Sequence, residues 1–309
     1  MLDRSFIRQS AAAAGFDLCG VAPCRHLVRN EQFFRRWLGD GRHASLGYLE
    51  RNLDKRFDVR RLVEGAQTVV VCAVGYKNGL SDGYPDDFRA KIASYALTAD
   101  YHATIKGMLG DLFGRLRAAE PALAGRAFVD SAPLVEKQLA VEAGLGWIGR
   151  QSLLVTPRFG SFVLLGELVL DAACDRYDEP LAGVRCGSCR RCVEACPTGA
   201  VCNDRAIDAR RCISCHTIER TPAAEIALDG WIFGCDACQS RCPYNLRAPL
   251  HLHPAFDPLF DPLSFPPERW LAMEEAEFRT SFGRTPLMRS GLRRLQANAA
   301  QNLRRKGRE

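Results

Sequence analysis

Apolar positions follow two periods along this chain, and the periods separate a region of regular elements from a region of short loops. Apolar residues recur at helical spacing over 3–15 and 31–40, and again from Asp100 to Ala119, so helices are predicted there. Thr68 to Gly75 (TVVVCAVG) is a β-branched run of buried-strand length. GRAFVDSAP at 125–133 reads as a strand that leaves through a proline-marked loop, after which Leu134 to Ala143 returns to helix. The strand-like runs 152–156 and 161–171 are joined by Pro157-Arg158-Phe159-Gly160, which predicts a hairpin. From Asp178 the texture changes to loops dense in Cys, Arg and Gly. A proline-rich stretch over 249–267 then leads to a helical tail, where Leu287, Gly291, Leu292, Leu295, Ala299 and Leu303 share one face. The expected architecture is an α/β (α+β) domain over 1–180, a cysteine-rich domain over 181–247, and a proline-rich linker with a basic helical tail over 248–309.

Composition narrows the class. Apolar residues make up 47% of the 309 positions and charged residues 25%, a globular balance that excludes a largely disordered chain. No run approaches the roughly 18 apolar residues of a membrane span, and the first segment has no secretory pattern, so a cytoplasmic protein is expected. The net charge of +6 is mild, but from Arg284 onward Arg284, Arg289, Arg293, Arg294, Arg304, Arg305, Lys306 and Arg308 stand against Glu309 alone. A polyanionic partner fits that tail; an ordinary solvated helix face is the alternative.

Fourteen cysteines need a use, because cytosolic thiols rarely form structural disulfides. Ten of them fall between Cys186 and Cys242. Cys186-Gly-Ser-Cys189-Arg-Arg-Cys192-Val-Glu-Ala-Cys196-Pro197 reproduces the bacterial ferredoxin run, whose fourth cysteine ligates the other cluster. Cys235-Asp-Ala-Cys238-Gln-Ser-Arg-Cys242-Pro243 is a second copy lacking one cysteine, which Cys212 replaces. Two 4Fe-4S clusters are predicted, one on Cys186, Cys189, Cys192 and Cys242, the other on Cys196, Cys212, Cys235 and Cys238. Paired zinc knuckles are the competing metal reading, although zinc has no use for the repeated Cys-Pro ending. Cys202 and Cys215 are left as buried thiols.

The cysteine motifs, together with Phe128-Val-Asp-Ser-Ala-Pro133, Ala143-Gly-Leu-Gly-Trp-Ile-Gly149 and Gly160-Ser-Phe-Val-Leu-Leu-Gly-Glu167, resemble the epoxyqueuosine reductase family from about Gly47 to Asn298. The resemblance is to a short form, without the C-terminal helical-repeat extension of many members. It implies a cobalamin-binding domain ahead of a ferredoxin-like domain, in a cytoplasmic monomer. The implied reaction reduces the epoxide of epoxyqueuosine at the tRNA wobble position, with base-off cobalamin, two 4Fe-4S clusters and an external low-potential donor of flavodoxin or ferredoxin type. Asp130 is the implied proton donor, its acid form favoured by burial; capping the helix near Leu134 is the alternative role. The implied corrin contacts are Arg56, Asp130, Leu154, Leu165, Ser214, Asp236 and Ala237. Arg220, Arg293 and Arg294 are candidate tRNA contacts, with Tyr101 and His102 as weaker ones. Ser94 and Ala99 stand where the family usually has basic residues, and Cys215-His216 replaces its usual aromatic. Two other readings compete: a ferredoxin-like electron-transfer module without corrin, and a cobalamin enzyme related to reductive dehalogenases, which commonly carry a twin-arginine export signal not seen here.

Overall fold

The computed structural model describes residues 1–182, 186–219 and 226–306. Its strands are β1 (Leu18–Pro23), β2 (Thr68–Gly75), β3 (Lys91–Ile92), β4 (Gly125–Phe128), β5 (Trp147–Ile148), β6 (Leu154–Val155), β7 (Val163–Leu170) and β8 (Trp231–Phe233). Helices α1 (Arg4–Ala13), α2 (Val28–Gly39), α3 (Leu53–Arg56), α4 (Tyr101–Ala119) and α5 (Glu136–Glu142) belong to the first half. The cysteine-rich segment carries α6 (Arg191–Glu194), α7 (Ile213–Ile218), α8 (Ala237–Ser240) and α9 (Pro243–Arg247), and α10 (Pro267–Ala272), α11 (Glu275–Phe282) and α12 (Leu292–Lys306) follow.

One antiparallel sheet, in the order β1, β2, β7, β4, organises the first half. Inside it, β2 is buried on both faces. Val70, Cys72 and Val74 enter a core shared with Ile7 of α1 and Ile105, Leu109 and Leu112 of α4, while Val69, Val71 and Ala73 enter a second core with Leu139 and Ala140 of α5. A strand covered on both sides has no polar face to show, which is why 68–75 reads as an unbroken apolar run. β1 went unread because its LCGVAP sequence lacks such a run and gains its place from pairing with β2.

The hairpin expected over 152–171 is not formed as a two-strand ladder. β7 already has β2 and β4 on its two edges, so β6 pairs instead with β5, and the Pro157 to Gly160 turn closes a single bridge between Thr156 and Gly160. The strand expected over 125–133 ends at Phe128, two residues before Asp130 turns to a positive φ of 53°.

The proline-rich stretch and the tail are built into the cores. Phe256 joins the first core, and Phe265, Trp270, Phe278, Phe282, Leu292, Leu295 and Ala299 pack with Ile92, Leu97, Ile232 and Phe233 in a third. Polar residues of α12 are buried too. Asn298 donates to the carbonyls of Thr217 and Ile232 (3.1 and 2.8 Å), and Asn302 donates to those of Arg89 and Trp231 (3.2 and 3.1 Å), so α12 grips β8 just before Cys235.

Candidate active site and cluster cysteines

Asp130 follows β4 and is held by three neighbours. The Tyr101 hydroxyl donates to its Oδ2 at 2.6 Å, His102 Nε2 lies 3.5 Å from the same oxygen, and the Asp130 amide donates to Glu136 Oε1 at 2.6 Å. Tyr101 and His102 open α4, whose N-cap Asp100 accepts from the His102 amide, and their rings stack at 4.2 Å. A left-handed non-glycine residue costs about 1–3 kcal/mol, so the Glu136 bond and the Tyr101 bond are what sustain this conformation. The expected burial of Asp130 is not observed: its side chain is 53% exposed. Its strand ends before reaching it, and the chain turns outward. Nor does Asp130 cap α5, which has Val135 at its N-cap and no side-chain cap.

Burial falls instead on two glutamates that the sequence reading overlooked. Glu167 is 0% exposed, and burial, followed by the nearby Glu136, pushes its carboxyl well above the ordinary range. Burial and then the Asp130 charge push Glu136 up to about 7. The signal was available: Glu167 is the lone charged residue inside VLLGELVL, and it faces Val71 and Phe128 across the sheet.

A cavity of about 640 Å³ opens beside Asp130. Phe33, Phe34, Trp37 and Leu153 give it apolar walls, and Arg56, Asp130, Glu136 and Gln151 supply polar groups. Arg56 is nearly buried; its guanidinium lies 5.7 Å from the Phe34 ring and reaches the Tyr48 carbonyl at 3.4 Å, while its Nε and the Gln151 Nε2 have no hydrogen-bond partner within the described residues. Buried donors left open in an apolar cavity suit a large ligand edged with amides or phosphate, and cobalamin is such a ligand. The residues therefore fit a corrin cofactor.

Of the corrin candidates, Arg56 and Asp130 line this cavity, and Leu154, Leu165, Ser214, Asp236 and Ala237 do not. Leu154 is buried in β6 and Leu165 half-buried in β7. Ser214 lies in α7, and Asp236 and Ala237 begin α8. Asp236 is buried and accepts from the Ser94 amide at 2.7 Å, which ties the altered Ser94 position to the second cysteine motif. His216 is buried, with Nε2 2.7 Å from the Arg210 carbonyl. Arg293 is exposed and Arg294 half-buried on α12; Arg220 lies outside the described residues.

The thiols fall into two neighbourhoods. Burial pushes Cys192 up, and Cys186, Cys242 and Cys189 push it further; Cys242, also raised by burial, faces Cys186 and Cys189 in turn. Burial likewise raises Cys235, Cys238 and Cys212, with Cys212 adding to the first two and Cys196 to the last two. Among the described residues no group of three or more His, Cys, Asp or Glu side chains is placed to hold a single metal ion. The two motifs meet through α6 and α8, which pack together. Cys215 is buried, as expected, whereas Cys202 is only half-buried.

Comparison with known proteins follows the same division. Residues 56–131 match the family described as epoxyqueuosine reductase QueG, DUF1730, and residues 185–245 match a 4Fe-4S double cluster binding domain. The epoxyqueuosine reductase of Cyclobacterium marinum is 39% identical over 302 residues, which cover 94% of this chain and 94% of that protein. The chain belongs to the epoxyqueuosine reductase family. A second epoxyqueuosine reductase, from Cellulophaga algicola, is 35% identical over 300 residues, covering 94% and 95% of the two chains. The crystal structure of an epoxyqueuosine reductase with an epoxyqueuosine-modified tRNA stem loop matches with a TM-score of 0.87 at 26% identity, over 97% of this chain and 80% of that one. An epoxyqueuosine reductase from Bacillus subtilis, described with its catalytic aspartate loop swung out of the active site, matches with a TM-score of 0.83 at 27% identity, over 97% and 80%. The chain is thus an oxidoreductase with the mixed α/β fold of epoxyqueuosine reductases and a double 4Fe-4S cluster domain. No helix among the described residues is long and apolar enough to cross a membrane.

Proposed function

We propose that this chain reduces the epoxide of epoxyqueuosine at the tRNA wobble position to queuosine, with Asp130 as the proton donor. Removing an epoxide oxygen as water consumes two electrons and two protons. When bound, the two clusters would pass electrons one at a time and a base-off cobalamin would bring a reducing cobalt to the epoxide. The observation that carries the reading is the placement of Asp130 at the cavity mouth, oriented by Tyr101 and His102 and adjoining the open donors of Arg56 and Gln151.

The chain's own residues divide the work. Tyr101 holds Asp130 Oδ2 by a hydrogen bond and leaves the other carboxyl oxygen to carry a proton toward the departing oxygen. Arg56 and Gln151 offer N–H groups to the corrin periphery, and the aromatic wall of Phe33, Phe34 and Trp37 excludes water. The set of Cys196, Cys212, Cys235 and Cys238 would hold the cluster nearer the corrin if Ser214, Asp236 and Ala237, which adjoin those cysteines in the chain, make the corrin contacts that the family resemblance implies. The set of Cys186, Cys189, Cys192 and Cys242 would then receive electrons from an external donor of flavodoxin or ferredoxin type, through a loop whose Gly187 and Ser188 are exposed. A tRNA substrate would place the reaction in the cytoplasm.

Asp130→Asn tests the acid role. The variant is expected to keep its iron content and cobalamin binding while turnover of epoxyqueuosine tRNA falls about 10²- to 10⁴-fold, the usual contribution of a general acid. Turnover at the wild-type rate would remove Asp130 from that role.

A further inference from the structure

Glu167 is fully buried in β7, and neither of its carboxyl oxygens has a hydrogen-bond partner within the described residues. The alternation of β7 explains where it points. Leu168 and Leu170 enter the first core, so Glu167 shares the opposite face with Val169, toward α5. There its carboxyl neighbours the carboxyl of Glu136, the first residue of α5. Two carboxylates offer only acceptors, so a hydrogen bond between these neighbours requires one shared proton, and that proton would satisfy Glu167. Glu136 meanwhile accepts the Asp130 amide at 2.6 Å, at the residue whose left-handed conformation sets the loop.

We propose that Glu136 is a positioning residue for Asp130, and that Glu167 holds the shared proton so that an ionised Glu136 grips the Asp130 amide over the cavity. This deepens the reading of Asp130 as the acid and rests on it. The groups around the pair are Asp130, Lys137 and Tyr101 beside Glu136, His102 beyond Asp130, and Cys72 of β2 on the opposite face of the sheet from Glu167. With the proton on Glu167, the amide of Asp130 bonds to a charged acceptor. A second proton, on Glu136, makes that bond neutral and weak and releases the loop. Turnover then falls on the acid side, where a proton donor acting alone would gain.

The test is the pH dependence of kcat in the cluster-loaded, cobalamin-loaded enzyme and its Glu136→Gln, Glu167→Leu and Glu167→Gln variants, with an infrared titration of protonated carboxyl groups on the same samples. Glu136→Gln should lose the acid limb and lower the plateau about tenfold, as a neutral acceptor replaces a charged one. Glu167→Leu withdraws the donor and should move the acid limb to higher pH; Glu167→Gln returns an N–H and should restore it. The infrared band of one buried protonated carboxyl should be present in wild type and in Asp130→Asn, and absent from both Glu167 variants. An acid limb that survives Glu136→Gln, or a wild-type profile in Glu167→Leu, overturns the proposal, as does absence of the band. Asp130→Asn separates the two readings: loss of turnover with the band retained belongs to the acid, whereas wild-type turnover in that variant sinks the acid reading and this one with it.

Discussion

At the scale of single residues, the site is governed by where charge is buried. Glu136 and Glu167 are both held above the ordinary carboxyl range by burial, Glu136 at about 7. A raised folded value means that the native state binds the proton more tightly, so the stability linked to it is complete below the ordinary value near 4.5 and is lost as pH rises through about 7. Melting temperatures of wild type are therefore expected to fall over that window, and those of Glu136→Gln to fall less; equal slopes would contradict the burial. Local sequence showed Asp130 through VDSAP, but not its exposure, because the strand was read five residues too far. Asp130 gains its orientation from Tyr101 and His102, twenty-eight and more positions away, and no local pattern encodes that contact.

Among elements, the contacts that matter most are those holding the cysteine segment to the sheet. Gly160 has φ 58°, and a Cβ there would collide with the Asn245 side-chain oxygen, which accepts the Ser161 amide at 2.6 Å. Asn245 also donates to Ser161 Oγ and to the Gln239 carbonyl, and its own carbonyl accepts from Lys77, so one buried side chain ties α9 to both halves. Gly160→Ala is expected to destabilise the fold by about 1–3 kcal/mol through strain and a displaced buried hydrogen bond, measured by denaturant unfolding. The tail helix was legible as an amphipathic face, and Leu292, Leu295 and Ala299 are buried as a set. What could not be read was its partner: the polar positions Asn298 and Asn302 look solvated in sequence, yet they satisfy buried carbonyls around β8. Leu295→Ala should cost about 2–5 kcal/mol, and a loss below 1 kcal/mol would mean that α12 is not part of the core.

On the scale of the whole molecule, two cysteine motifs were legible because ligand geometry fixes their spacing, whereas the cavity draws on residues scattered from Asn30 to Ile207 and leaves no spacing to find. The buried face of α12 also changes how its charge is tested. Removing the tail would open the third core, so the informative change is on the surface: Arg293→Glu should weaken tRNA binding and flatten its dependence on salt by about one or two phosphate contacts, with melting unaffected. An unchanged salt slope would return that face to plain solvation. The central claim is that this chain turns epoxyqueuosine in tRNA into queuosine with cobalamin and two clusters. Its most direct test is anaerobic incubation of the iron-reconstituted protein with cobalamin, a strong reductant and epoxyqueuosine-containing tRNA, followed by mass analysis of the nucleosides. Queuosine that forms with the full mixture and fails to form when cobalamin is omitted is the predicted result; epoxyqueuosine left intact by protein with verified clusters and bound cobalamin would contradict the account.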